Sequence, residues 1–222
     1  MLDLNLRNHD TKSYYLWQML QKPASFFSWI FQPLMMPLYG TFLFLQLPYY
    51  AFMLMSDKLV KFVLICNLTF TVVLPALVII LMYRMKIISN VRLNNREDRK
   101  YPILFTAGFH LANFYLLTKV ELPAPYYLFL LGGLFSVLLT LMITMFWKIS
   151  IHMTGIGSVC GAILICGLIW QIDVRLLLAV LFIIAGIIAS SRLILNAHTR
   201  KEVAAGFTAG FLPQLLLIFL LY

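Results

Sequence analysis

Apolar runs separated by short polar breaks dominate this chain. Runs at about 62–83, 103–118, 124–147, 153–170, 175–194 and 203–221 each come close to the ~20 residues a helix needs to cross hydrocarbon. A further run over 25–55 carries Pro33, Pro37 and Pro48, which predicts a short interfacial piece leading into a span at roughly 34–54. Pro75 predicts a kink in the run at 62–83. Residues 1–24 mix Asp3, Arg7, Asp10, Lys12 and Lys22 with Tyr14, Tyr15, Leu16, Trp17, Met19 and Leu20. That mixture reads as a helix lying on the membrane surface, and it has no compact apolar core of a signal peptide. The expected fold is therefore an all-α integral membrane protein, a bundle of six to seven transmembrane helices with one polar site at a membrane face. Seven spans result if every run crosses, and six if one near the start is re-entrant. The connections are too short for another domain. Residues 1–222 thus read as a single membrane domain, with an interfacial segment at 1–24, N-terminal spans at 25–85 and a core at 86–222.

Counting spans turns this pattern into geometry. The polar clusters at 92–100, 148–152 and 191–202 are separated from one another by two spans each, so all three emerge on one face. The opposite face holds Asp57, Lys58, Lys61, Lys119, Glu121, Asp173 and Arg175, nearly balanced in charge and without a histidine. Composition agrees with a bilayer as solvent: the 222 residues are 62% hydrophobic and 11% charged, with a mean hydropathy of +0.91. The net charge of +9 comes from Lys and Arg placed between the apolar runs, which points to anionic lipid as electrostatic partner rather than nucleic acid. Cys66, Cys160 and Cys166 are odd in number and set in apolar sequence, so they read as small buried hydrophobes.

Chemistry concentrates in the shared face. In 191–202, a helix starting at Ala197 would set His198 and Glu202 at i and i+4 on one side. The carboxylate then holds one ring nitrogen and leaves the other free as nucleophile or base. His152 and Ser150 stand near the start of the 153–170 run, where free backbone N–H groups and the helix dipole favour an anion. Two histidines, a carboxylate and the cations Arg92, Arg99, Lys100 and Arg192 suit a phosphate ester: cations neutralise the phosphoryl oxygens, one His attacks and the other protonates the leaving oxygen. There is no HExxH or DDxxD cluster, so the expectation includes neither metal nor cofactor. His110 and Asn113, one turn apart inside a span, read as bonding to neighbouring helices. Gly155, Gly157 and Gly161 read as helix-packing positions, with Gly155 also open to a phosphate. His9 reads as solvated.

These residues resemble the type 2 phosphatidic acid phosphatase superfamily, whose pattern is KxxxxxxRP, then PSGH, then SRxxxxxHxxxD. The third element stands here as Ser191-Arg192, five residues, His198, three residues and Glu202; the second as Ser150-Ile151-His152 without its Pro and Gly; the first as Arg92 and Arg99, with Pro102 three residues on. The resemblance spans 92–202, and the N-terminal part is similar to that of small bacterial members. It implies His198 as the phosphate-accepting nucleophile, His152 as acid for the leaving group, and Glu202 in the orienting role of the family aspartate. Arg192, with Arg99 or Lys100, would clamp phosphate, and Ser150, Ser191, Arg92 and Gly155 would complete the binding site. The implied protein is a metal-independent lipid phosphatase of a cell membrane, in a bacterium the inner membrane. Its substrate would be a lipid monophosphate or diphosphate: phosphatidic acid, a phosphatidylglycerol phosphate, a polyprenyl diphosphate or a lipid A phosphate. A non-catalytic lipid-binding relative and a phosphotransferase using the same residues stay open. So does the side: Arg7, Lys12, Lys22 and the 84–100 loop count toward the cytoplasm, whereas the family commonly places its site outside.

Overall fold

The computed structural model describes residues 17–217. The expectations for 1–16, His9 included, and for the end of the last apolar run lie outside the described residues. Helix α1 covers 17–30. A 3-10 turn at Pro33–Met35 leads into α2 (Met36–Leu45), and α3 is a single turn at Tyr50–Met53. Then α4 (Asp57–Asn67), a π-helical segment (Leu68–Val73) and α5 (Leu74–Arg84) form one continuous 28-residue helix. A polar loop and a 3-10 turn at Glu97–Arg99 precede α6 (Lys100–Leu117), which is followed by α7 (Ala124–Phe146), α8 (Ile151–Trp170), α9 (Arg175–Ile194) and α10 (Arg200–Leu216). All regular secondary structure among the described residues is helical, without a strand.

Among the described residues, four helices are long and apolar enough to cross a membrane: Asp57–Arg84, α7, α8 and α9. Their outward faces carry bare apolar side chains such as Phe146, Leu176 and Ile183, a surface that lipid solvates and water does not. The expected span at 34–54 takes another form. α2 has ten residues, a rise of about 15 Å against about 30 Å of hydrocarbon, and the chain breaks at 46–49, around Pro48, before α3. Proline at 48 supplies no N–H to continue the helix. Pro75 stands in the first turn of α5, and the six residues before it, Leu68–Val73, are wound as a π-helical segment, the kind of local adjustment that accompanies a proline inside a long helix.

The core is built around α8, buried along nearly its whole length. α8 and α10 run parallel, since Gly206 of α10 meets the Ser150 carbonyl and Gly210 the Thr154 carbonyl. A Cβ at either glycine would overlap the facing oxygen, so the glycines set this close approach, as small residues do between membrane helices. The two helices therefore begin side by side, His152 at one start and His198 beside the other. On the other flank, Phe44 of α2 stacks on Phe129 of α7 with ring centroids 4.7 Å apart, which ties the N-terminal half to the bundle. Cys66, Cys160 and Cys166 are free and buried.

Candidate functional site

His198 is positioned by two chain devices placed back to back. α9 ends with Asn196 in the left-handed region at φ 49°, a conformation Asn tolerates. The Ala197 N–H donates to the Arg192 carbonyl at 3.1 Å and the Asn196 N–H to the Leu193 carbonyl at 3.0 Å, which is a Schellman closure. Two residues later Thr199 caps α10: its hydroxyl accepts from the Glu202 N–H at 3.3 Å, and Glu202 Oε2 accepts from the Thr199 N–H at 3.4 Å. His198 lies between these closures, before the helix and not within it as the sequence reading had it. Its ring still reaches Glu202, with Nδ1 and Oε2 2.7 Å apart. A carboxylate only accepts, so Nδ1 carries the proton and Nε2 keeps a lone pair. Burial, then Arg99, Arg192 and Lys148, push the imidazole down to about 3, so it is neutral at pH 7.

His152 sits in the first turn of α8, whose N-cap is Ser150. Its Nε2 lies 3.1 Å from the Ser28 carbonyl and 3.3 Å from the Ser28 hydroxyl. The carbonyl accepts, which puts the ring proton on Nε2. Arg192 Nη1 donates to the same Ser28 hydroxyl at 2.6 Å. Two buried polar atoms here lack a partner among the described residues: Ser150 Oγ and Arg192 Nε. Such atoms cost free energy unless a ligand or water meets them.

A cavity of about 970 Å³ opens at this point, lined by His152, His198, Arg92, Arg99, Lys148 and Arg192 together with apolar residues of the bundle. Its lining holds four cationic side chains and no acidic one, a field that selects an anion. Burial and then Arg99 lower Lys148, with Glu202 opposing, and burial followed by Arg192 lowers Arg99 to about 10. The three polar clusters expected at one face do meet. Arg99 Nη1 donates to the Ile149 carbonyl at 2.8 Å, Arg99 Nε to the Leu93 carbonyl at 2.7 Å, and the Ser150 N–H to the Glu202 carbonyl at 3.1 Å. Arg99 is thus a brace holding the 86–99 loop against the start of α8, and it contributes charge to the cavity.

Other expected residues are placed elsewhere. Lys100 pairs with Glu97 and is not on the cavity wall. Ser191 donates to the Ile187 carbonyl of its own helix at 2.8 Å. Gly155 lines the cavity, and the Met36 side chain fills the space its Cβ would take, so this glycine also serves the α2–α8 contact. Arg92 lines the rim, exposed. Two residues that the motifs did not single out belong to the site. Lys148 had a signal, since it stands in the 148–152 cluster; Ser28, 164 residues from Arg192, had none. Comparisons with protein-family models, with curated proteins and with solved structures gave no match.

Proposed function

We propose that this chain is a membrane lipid phosphatase of the type 2 phosphatidic acid phosphatase kind, cleaving a lipid phosphate monoester or diphosphate through a phosphohistidine at His198, without a metal. The observation that carries the reading is the pair of opposed tautomers. His198 is kept neutral by burial and the neighbouring cations, and its 2.7 Å bond from Nδ1 to Glu202 leaves the Nε2 lone pair free, while His152, on the wall of the same cavity, carries its proton on Nε2. One is set as nucleophile and the other as acid.

In the proposed first step, His152 has taken up a second proton, on Nδ1, together with the anionic substrate; His198 Nε2 attacks phosphorus, the bond from phosphorus to the lipid oxygen breaks, and the His152 imidazolium gives its Nε2 proton to that departing oxygen, ending as a neutral imidazole protonated on Nδ1. Glu202 balances the charge that grows on the His198 ring. Arg192, Lys148 and the unpartnered Ser150 Oγ hold the non-bridging oxygens, beside free N–H groups at the start of α8. In the second step His152 Nε2 takes a proton from water, the water oxygen attacks phosphorus, and the bond from phosphorus to His198 breaks to release inorganic phosphate. The substrate must displace the Ser28 hydroxyl and carbonyl, so α1 has to shift for the lipid to enter.

The proposed topology has six crossings: the continuous Asp57–Arg84 helix, α6, α7, α8, α9 and α10. α6 has 18 residues and α10 has 17, about 26 Å each, enough with the flanking turns. α1 and α2 then form a half-depth cover beside the site. The test is phosphate release from detergent micelles containing a chelator, with a panel of lipid monophosphates and diphosphates. Release by the parent and loss with His198→Ala, the variant remaining folded, is the expected result; equal release by both sinks the nucleophile.

A further inference from the structure

The cavity does not stop at the phosphate site. It continues between α5, α6 and α7 to Asn113, which lies 14 residues beyond Arg99 and so about 21 Å deeper along the helix axis. The hydrogen bonding of that deep end is one-sided. Thr71 gives its proton to the Asn67 carbonyl at 2.8 Å and Thr106 to the Pro102 carbonyl at 2.7 Å. Each hydroxyl has therefore spent its donor on its own helix and keeps only acceptor capacity. His110 Nδ1 lies 2.9 Å from the Thr106 carbonyl; the proton is on Nδ1 and Nε2 is left an acceptor. Asn113 was expected to bond a neighbouring helix, and its Nδ2 does donate to Asn67 Oδ1 at 3.2 Å. Its own Oδ1 is buried with no partner among the described residues. Asn113 itself is 1% exposed.

His110 and Asn113 stand at i and i+3, on one face of α6, and both line the cavity. The buried, unpartnered Asn113 Oδ1 and the Thr71, Thr106 and His110 acceptors on the same wall outnumber the one N–H that Asn113 Nδ2 has left, and call for a ligand that brings protons. A cation is disfavoured, because no acidic residue lines the cavity and an uncompensated charge in hydrocarbon is costly. We infer that the deep end of the cavity is a subsite for a hydrogen-bond donor carried on the lipid chain, a hydroxyl or amide N–H roughly 16 to 21 Å from the phosphate. The substrate is then a lipid phosphate with a polar group well down its chain, and His110 and Asn113 select for it. This identification of the substrate class rests on the phosphatase reading; the acceptor wall itself does not.

The experiment is competitive binding, read by native mass spectrometry on the full chain in detergent. The probes are two phosphatidic acids identical except for one mid-chain hydroxyl. The expected result is a preference of about fivefold for the hydroxylated lipid, which corresponds to about 1 kcal/mol. The preference should fall to near unity in Asn113→Leu. Equal binding of the two lipids by the parent, or a preference unchanged in Asn113→Leu, overturns the subsite and means that water fills these acceptors. Phosphate release from both lipids is measured in parallel. Its absence alongside a preference for the hydroxyl refutes the phosphatase reading and leaves the donor subsite standing.

Discussion

Glu202 has two jobs, and one substitution separates them. Its Oε2 accepts from His198 Nδ1 at 2.7 Å and from the Thr199 N–H at 3.4 Å, so it both orients the proposed nucleophile and closes the cap of α10. Gln at this place keeps the cap, since a capping box accepts Glu or Gln, and its amide oxygen can still receive the imidazole proton. What Glu202→Gln removes is the negative charge that stabilises the ring as it becomes cationic in the transition state. The two side chains are only 2% and 14% exposed, so solvent screens this interaction little. A hydrogen bond to a charged group is worth about 1.5 to 3 kcal/mol, which as a barrier is roughly 10-fold to 150-fold in rate. The expected outcome is a fall of that size in kcat/KM for phosphate release in micelles. Thermal unfolding in the same detergent should stay close to the parent. Glu202→Ala should lose the cap as well, with about 1 kcal/mol of stability. Parent-like turnover in Glu202→Gln would refute the orienting role. Equal losses of stability in the Gln and Ala variants would show that the cap explains everything.

Two further outcomes follow from the site. Ser28→Ala frees the Arg192 Nη1 that a phosphate would claim, the Ser28 carbonyl staying on His152, so vanadate or inorganic phosphate should bind about fivefold more tightly, from about 1 kcal/mol of lost competition; weaker binding by isothermal titration would mean that Ser28 is itself a phosphate ligand. His198 titrates at about 3 in the folded protein against an ordinary 6.5, so between those values only the unfolded chain takes up the proton. Its contribution to stability is complete above pH 6.5 and declines as pH falls toward 3, by at most about 1.4 kcal/mol per pH unit. Denaturation of parent and His198→Asn in detergent should therefore diverge below pH 6.5, the parent losing more, and parallel curves would contradict a neutral buried His198.

Much of the site was legible because its parts are local. The arrangement of Arg192, His198 and Glu202 rests on Asn196 closing one helix and on Thr199 and Glu202 capping the next, all within eleven residues of chain. Counting two spans between polar clusters sufficed to bring 92–100, 148–152 and 191–202 together. The placement of single side chains was harder. Whether Arg99 or Lys100 enters the cavity depends on a 3-10 turn at Glu97–Arg99 that rotates Lys100 toward Glu97, and no motif spacing encodes that rotation. Gly155 was read for phosphate, but a small residue between helices is equally a socket, and Met36 fills it. Ser28 belongs to a segment read only as interfacial, and its contacts cross more than a hundred residues. In the fold, the apolar run at 34–54 had the length of a span, while Pro48 had the power to end it, and the proline decided the outcome.

The most direct test of the account is to trap the covalent intermediate. The parent protein, mixed with a lipid monophosphate in chelator-containing micelles and quenched rapidly in alkali, should yield a peptide phosphorylated on His198 by mass spectrometry. The label should be stable to base, lost in mild acid, and absent from Glu202→Gln at the same early time. Phosphate release with no label on His198, or a label on another residue such as Ser28, would contradict the phosphohistidine mechanism.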